Sequence, residues 1–150
     1  MSTFVIRLLG PPEIERDGMV VAPPRGHKAW AVLTYLLLAE RPVARTRLAG
    51  LIFGDADDPL GALRWTLAQL RRAFGVAGTL RGDPLELGLP AGVAVDVLSL
   101  ASGEPDPALV RGELLEGVDP GAGAEFDAWL LVERRRFAGV CEAVLRDAAL

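Results

Sequence analysis

Cysteine and histidine each occur once, at Cys141 and His27, and serine only at positions 2, 99 and 102. A single thiol excludes an internal disulfide, and one thiol with one imidazole is too poor a donor set for a structural zinc site. The same scarcity leaves few nucleophile–base pairs. No serine lies in a nucleophile elbow or beside a base in sequence, and Gly75, Gly78 and Gly82 lack both the spacing and the following Lys-Ser/Thr of a phosphate loop. No catalysis, cofactor or metal is therefore expected; His27 reads as a capping or surface residue and Cys141 as a small apolar core residue. Long apolar runs are also missing. Ala31 to Ala39 is interrupted by Thr34 and Tyr35 and stops at Glu40-Arg41, well short of the roughly 20 residues a membrane span needs. Met1 to Gly10 has neither the basic start nor the cleavage site of a signal peptide, so the expected location is cytoplasmic and no membrane contact is expected.

What is present is an apolar half, 51% of the 150 residues, punctuated by 17 glycines and 11 prolines. That is enough for a compact domain of about 100 residues with an appendage. The net charge of −4 is unevenly placed: Arg25 to Arg81 holds nine Lys/Arg (25, 28, 41, 45, 47, 64, 71, 72, 81) against four acids, whereas Ala91 onward holds five Arg against eleven acids. A positive module joined to an acidic one is the pattern of a DNA reader carrying a protein-binding partner, because phosphate attraction follows the local patch. Clustering on two solvated faces would give the same counts.

Phe4 to Leu9, Glu13 to Arg16 and Met19 to Val21, separated by Pro11-Pro12 and Asp17-Gly18, read as a small antiparallel sheet. His27 to Ala39 then shows helical spacing and apolar residues almost all round, the mark of a buried helix. Arg41-Pro42 stops it. Thr46 to Phe53 gives a short second helix with Leu48, Leu51 and Ile52 inward, ended by Gly54. Asp57-Asp58-Pro59 is a start signal, a capping carboxylate followed by proline suited to the first turn. The third helix, residues 58–74, carries the stripe Leu60, Leu63, Leu67, Leu70 and Phe74 and ends at Gly75 and Gly78. Residues 79–87 form a hairpin around Gly82-Asp83-Pro84. Asp96 to Pro107 reads as a link, partly helical near Val97 to Leu100, and Ala108 to Leu115 and Glu125 to Leu150 as helices. The last helix has an apolar face of Phe126, Trp129, Leu130, Phe137, Val140, Cys141, Val144 and Leu145 that needs a partner: a further helix of a longer chain, the first domain, or a second copy in a homodimer.

Opposite its leucine stripe the third helix presents Gly61, Trp65, Ala68, Gln69 and Arg72, with Arg64 and Arg71 along one border. Arg and Gln make paired hydrogen bonds to guanine and adenine edges, an aromatic can meet a thymine methyl or a sugar, and border arginines suit phosphates. The alternative is that the arginines only solubilise the helix and that Trp65 packs beneath the amino-terminal sheet.

The segments Phe4-Val-Ile-Arg-Leu-Leu-Gly-Pro-Pro-Glu-Ile, Pro24-Arg-Gly-His-Lys-Ala-Trp-Ala-Val-Leu-Thr-Tyr-Leu, Pro42-Val-Ala-Arg-Thr-Arg-Leu-Ala-Gly-Leu-Ile-Phe and Leu63-Arg-Trp-Thr-Leu-Ala-Gln-Leu-Arg-Arg-Ala-Phe-Gly together resemble the amino-terminal domain of SARP-type transcriptional activators. Arg111-Gly-Glu-Leu-Leu-Glu-Gly and Glu125-Phe-Asp-Ala-Trp-Leu-Leu-Val-Glu-Arg-Arg-Arg-Phe resemble the opening of their bacterial transcriptional activation domain, a stack of tetratricopeptide-like helix pairs. The resemblance covers nearly the whole chain. It implies an OmpR-like winged helix with a four-stranded amino-terminal sheet, three helices and a carboxy-terminal hairpin, the third helix in the major groove and Arg81 on the wing near the minor groove. It also implies RNA polymerase subunits as partners. Gly54 to Pro59 is short and acidic where such proteins often have a longer loop contacting the polymerase, so contact is not expected there. The helical part is incomplete beside several units of about 34 residues each.

The expected class is α+β: a winged helix-turn-helix at residues 1–98, then a linker and the first tetratricopeptide-like helices at 99–150. Double-stranded DNA is the expected partner, met by Arg64, Trp65, Gln69, Arg71 and Arg72, with Arg45, Arg47 and Arg81 on phosphates. A second chain or helix would dock through Phe126, Trp129, Leu130 and Phe137. The rival is a protein-interaction module that keeps the winged-helix shape and no longer binds DNA.

Overall fold

The computed structural model describes residues 3–74, 80–89, 92–103 and 106–150. The helix-ending Gly75 and Gly78, the first wing residue Thr79, and Pro105 of the expected link lie outside them.

Strand β1 (Phe4–Arg7) alternates as a half-buried strand should, Phe4 and Ile6 inward and Val5 and Arg7 outward. It pairs antiparallel with β2 (Glu13–Arg16), and β2 with β3 (Met19–Val20). The β2–β3 connection is Asp17-Gly18, both at positive φ (53° and 82°), the primed-turn geometry that suits a two-residue hairpin. On the outer face Arg7 sits between Glu13 and Glu15, at 3.2 and 2.8 Å.

The sheet is not the purely antiparallel amino-terminal unit expected from sequence. Its fourth strand, β6 (Val93–Val95), arrives after the helices and lies parallel to β1, giving the order β3-β2-β1-β6. Three residues are too few for a periodic signal, and only pairing with a strand almost 90 positions earlier makes them one.

Three helices follow the first hairpin. In α1 (His27–Leu38) eight residues are buried, from Ala29 to Leu37, so it runs through the core as its all-round apolar sequence requires. Helix α2 (Arg45–Phe53) packs Leu48, Leu51 and Ile52 inward. Helix α3 (Pro59–Phe74) inserts Leu63, Leu67 and Leu70 at 0–1% exposure, while Leu60, at 38%, stands outside the expected stripe. Asp58 Oδ1 accepts the Gly61 N–H at 3.0 Å, closing the start of α3 as its capping sequence suggests. A Cβ at position 61 would lie 2.3 Å from Asp58 Oδ2, so a larger residue there would displace the capping carboxylate. The wing is β4 (Leu80–Arg81) paired with β5 (Glu86–Leu87).

Beyond the wing, α4 (Asp96–Ala101) occupies most of the expected link. Residues 108–115, expected to be helical, form only a 3-10 turn at Pro107–Leu109 and then an extended return to β1: Gly10 N–H donates to Glu113 O and Leu115 N–H to Leu8 O, both at 2.8 Å. The unpaired main chain at the end of β1 offers those residues partners that their helical spacing could not reveal. Helix α5 (Ala124–Ala148) is the one long helix of this part among the described residues; it forms no tetratricopeptide-type pair there.

The face of α5 is covered by the chain itself. Phe126, Leu130 and Phe137 are 0–3% exposed, and Trp129 packs at a tilt against Tyr35 of α1 with ring centroids 4.8 Å apart. Of the partners left open by sequence, the preceding helices of the same chain are the ones found. Phe126, Leu130 and Phe137 are thus not available to a second chain, because the core of α1, α2 and α4 has already taken them out of water, whereas Trp129 is half-buried and Leu145, further along the expected face, is 49% exposed.

Asp96 joins these parts. Its carboxylate, 3% exposed, accepts N–H groups from Leu8 (2.9 Å), Leu9 (2.9 Å) and Val97 (2.7 Å). Burial raises its pKa, against the lowering effect of those three donors. Asp96→Asn keeps the shape but replaces one accepting oxygen by a donor, so urea unfolding should show a loss of about 1–3 kcal/mol. The raised pKa makes the folded state hold this proton more tightly. Its contribution is therefore fully present below the unfolded value of about 3.9 and is lost as pH rises through the folded value. Stability of the parent minus that of Asp96→Asn, followed from pH 3.5 or so upward, should fall across that window; a rising difference would show that the three N–H donors prevail.

Candidate nucleic-acid interface

The inward stripe of α3 fixes what its other side can show. Arg64, Trp65 and Arg72 are exposed, and Gly61, Ala68 and Gln69 are half-buried beside them. Trp65 is 53% exposed and does not pack beneath the amino-terminal sheet. With Phe53, Ala62 and the start of α1 it lines an open recess of about 660 Å³. Lys28 at the rim pairs with Asp55 at 3.3 Å and lies over the Phe53 ring at 5.4 Å. The surface thus offers two guanidinium groups, one amide and one large aromatic within three turns of one rigid helix.

The eight residues singled out in sequence fall into two sets. Arg64, Trp65, Gln69 and Arg72 share the outer face of α3, and Arg81 is exposed on the wing. Among the described residues Arg64, Arg72 and Arg81 have no ion pair. The other three arginines are engaged within the chain. Arg71, half-buried, donates Nε (3.1 Å) and Nη2 to the Leu80 carbonyl. Arg45 donates Nε to the Gly82 carbonyl at 2.6 Å, and its backbone N–H to Asp83 Oδ1 at 3.1 Å. Arg47 pairs with Glu125 in the first turn of α5, an exposed contact with the two side chains 53% and 63% accessible. That pairing raises the pKa of Arg47 and lowers that of Glu125, in each case chiefly through the hydrogen bond between them.

Glu125 is the residue that sequence reasoning missed. It lies 78 positions from Arg47, and no local pattern couples a charge on α2 to one on α5. His27 accepts the Asp119 N–H at Nδ1 (2.9 Å), a tie between α1 and the loop before α5. Burial pushes the Cys141 thiol up, so it stays protonated at neutral pH. Among the described residues no three His, Cys, Asp or Glu side chains gather to hold a metal ion, and no helix is long and apolar enough to cross a membrane.

No family model matches the sequence, and no curated protein does. In structure the chain is similar to EmbR of Mycobacterium tuberculosis, solved in complex with a low-affinity phosphopeptide, with a TM-score of 0.64 at 19% identity over 93% of this chain. The match spans 44% of the EmbR chain, and what the two share is the fold, a mixed α and β arrangement with an amino-terminal sheet followed by helices.

Proposed function

We propose that the chain is a sequence-specific duplex DNA-binding regulator of transcription, with α3 in the major groove and the wing near the minor groove. The observation that carries this reading is the outer face of α3: Arg64, Trp65, Gln69 and Arg72 exposed or half-exposed on a helix held by three fully buried leucines. A rigid helix with bidentate donors on its free side is the device that reads base edges. The likeness of fold to EmbR, a SARP-family regulator, supports it. In this reading residues 1–98 bind DNA, residues 99–150 serve protein contacts, RNA polymerase subunits among them, and the protein works in the cytoplasm without catalysing a reaction.

Binding should be steeply salt-dependent, with log K against log salt falling at about −0.9 per phosphate neutralised. Anisotropy titration of a site selected from a random DNA pool, and of random duplexes, measures this. A flat response would reject DNA binding.

Reading and anchoring residues should fail differently. Arg72→Ala or Gln69→Ala should cost about 1–3 kcal/mol at the preferred site and relax preference at one base pair. Arg64→Ala should weaken all duplexes alike and flatten the salt slope by about one unit. None of the three is a core side chain, so circular dichroism should match the parent.

A protein-interaction module without DNA binding is the second reading, favoured by the net charge of −4 and by the internal engagement of Arg45, Arg47 and Arg71. Duplex binding by the parent separates the two, and Glu125→Gln then tests the place of Arg47. It releases Arg47 and should tighten binding to random duplexes and steepen the salt slope by about one unit. Unchanged binding by a variant of a protein that does bind DNA would place Arg47 outside the interface.

A further inference from the structure

The wing has only two paired residues in each strand, too little to hold its own orientation, so its position must be set from outside. Three contacts from the helical body do this. At one end Arg71, in the last turn of α3, donates two N–H groups to the Leu80 carbonyl. At the other, Arg45, at the start of α2, donates to the Gly82 carbonyl at 2.6 Å while its backbone N–H takes Asp83. Between them Val43 and Leu85 exchange backbone hydrogen bonds, at 3.1 and 2.7 Å. Leu80 and Leu85 are fully buried, whereas Arg81 is exposed. Arg81, exposed and without an ion pair among the described residues, thus lies between two residues whose carbonyls are each held by an arginine from the helical body.

Resting on the DNA-binding reading above, we infer that Arg71 and Arg45 are positioning residues, which clasp the wing to the ends of α3 and α2 so that Arg81 is presented to the duplex in fixed register with the recognition helix. A guanidinium donating to a neutral carbonyl keeps its charge while part of its five-donor fork is engaged with the protein, two N–H groups in Arg71 and one in Arg45. This differs from the phosphate role that composition alone suggests, and the two roles have different signatures. A phosphate contact contributes to the salt slope; a clasp contributes to wing order and to the worth of Arg81.

The test uses the full chain with Arg71→Gln, Arg45→Gln, Arg81→Ala and the double variants, read by hydrogen exchange and by anisotropy on a selected duplex at several salt concentrations. In Arg71→Gln the wing amides, Leu85 included, should exchange about tenfold faster while those of α1 to α3 stay as in the parent. Specific affinity should fall about tenfold with the salt slope unchanged, and Arg81→Ala should cost less in this background than in the parent. A slope reduced by about 0.9 with wing protection intact would overturn the inference and give Arg71 to a phosphate. If the parent binds no duplex, the DNA reading fails by itself, and wing exchange still decides the clasp: unchanged protection in both single variants overturns it. Should Arg71→Gln lose its helical circular dichroism, Arg45→Gln, half-exposed at the opposite end of the wing, carries the same readouts.

Discussion

One buried carboxylate sets the geometry on which the rest depends. Where β1 leaves the sheet, the N–H groups of Leu8 and Leu9 would be stranded in the core, and Asp96 accepts both while also accepting the Val97 N–H in the first turn of α4. Hydrogen bonds to a charged acceptor contribute about 1.5–3 kcal/mol each, which is what makes a carboxylate tolerable at 3% exposure. The same turn of chain then offers its other groups outward: Leu8 O to Leu115 and Gly10 N–H to Glu113. Arg134 of α5 donates in turn to the Leu114 and Leu115 carbonyls, at 2.9 and 3.0 Å. A continuous line of polar contacts therefore runs from the sheet to the last helix. The apolar contacts of Phe126, Leu130 and Phe137 supply area along that line, and the hydrogen bonds supply direction.

Arginine serves this architecture more than a count of charges suggests. Arg45, Arg71, Arg111 and Arg134 each donate to main-chain carbonyls, those of Gly82, Leu80, Leu9 and Leu114/Leu115. Short strand ends and loops are stitched by a planar, multi-donor side chain that stays charged at any working pH. The positive excess between Arg25 and Arg81 is thus partly structural, and of its remainder Arg64 and Arg72 lie on α3 and Arg81 on the wing.

How much was legible in sequence follows from the range of each interaction. Helices α1 and α3 could be read to within a residue or two because burial imposes a period that neighbouring residues share, and Asp58 with Pro59 marked the start of α3 by local chemistry. The outward placement of Arg64, Trp65 and Arg72 follows from the same period. Strand β6 and the bridge and turn at Leu114–Leu115 were not legible. Each owes its form to β1, roughly a hundred positions away, and Leu115 even takes a positive φ of 53° to meet it. The partners of Arg45, Arg47 and Arg71 escaped for the same reason: a guanidinium pattern reads alike whether it faces phosphate, carbonyl or carboxylate.

That ambiguity is resolved by what each acceptor would lose. If Arg71 turned to a phosphate, the carbonyl of fully buried Leu80 would be left without this partner in a place that water reaches poorly, a cost that opposes the exchange. Arg45 is intermediate, since Gly82 is exposed and its carbonyl can be hydrated. Glu125 loses least: its carboxylate is 63% accessible, sits in the first turn of α5 where the helix terminus favours negative charge, and is readily solvated when Arg47 leaves. Phosphate competes for Arg47 on better terms than for Arg71. The three arginines that look equivalent in sequence thus form a graded series, and the grading is set by the burial of the acceptor and not by the arginine itself.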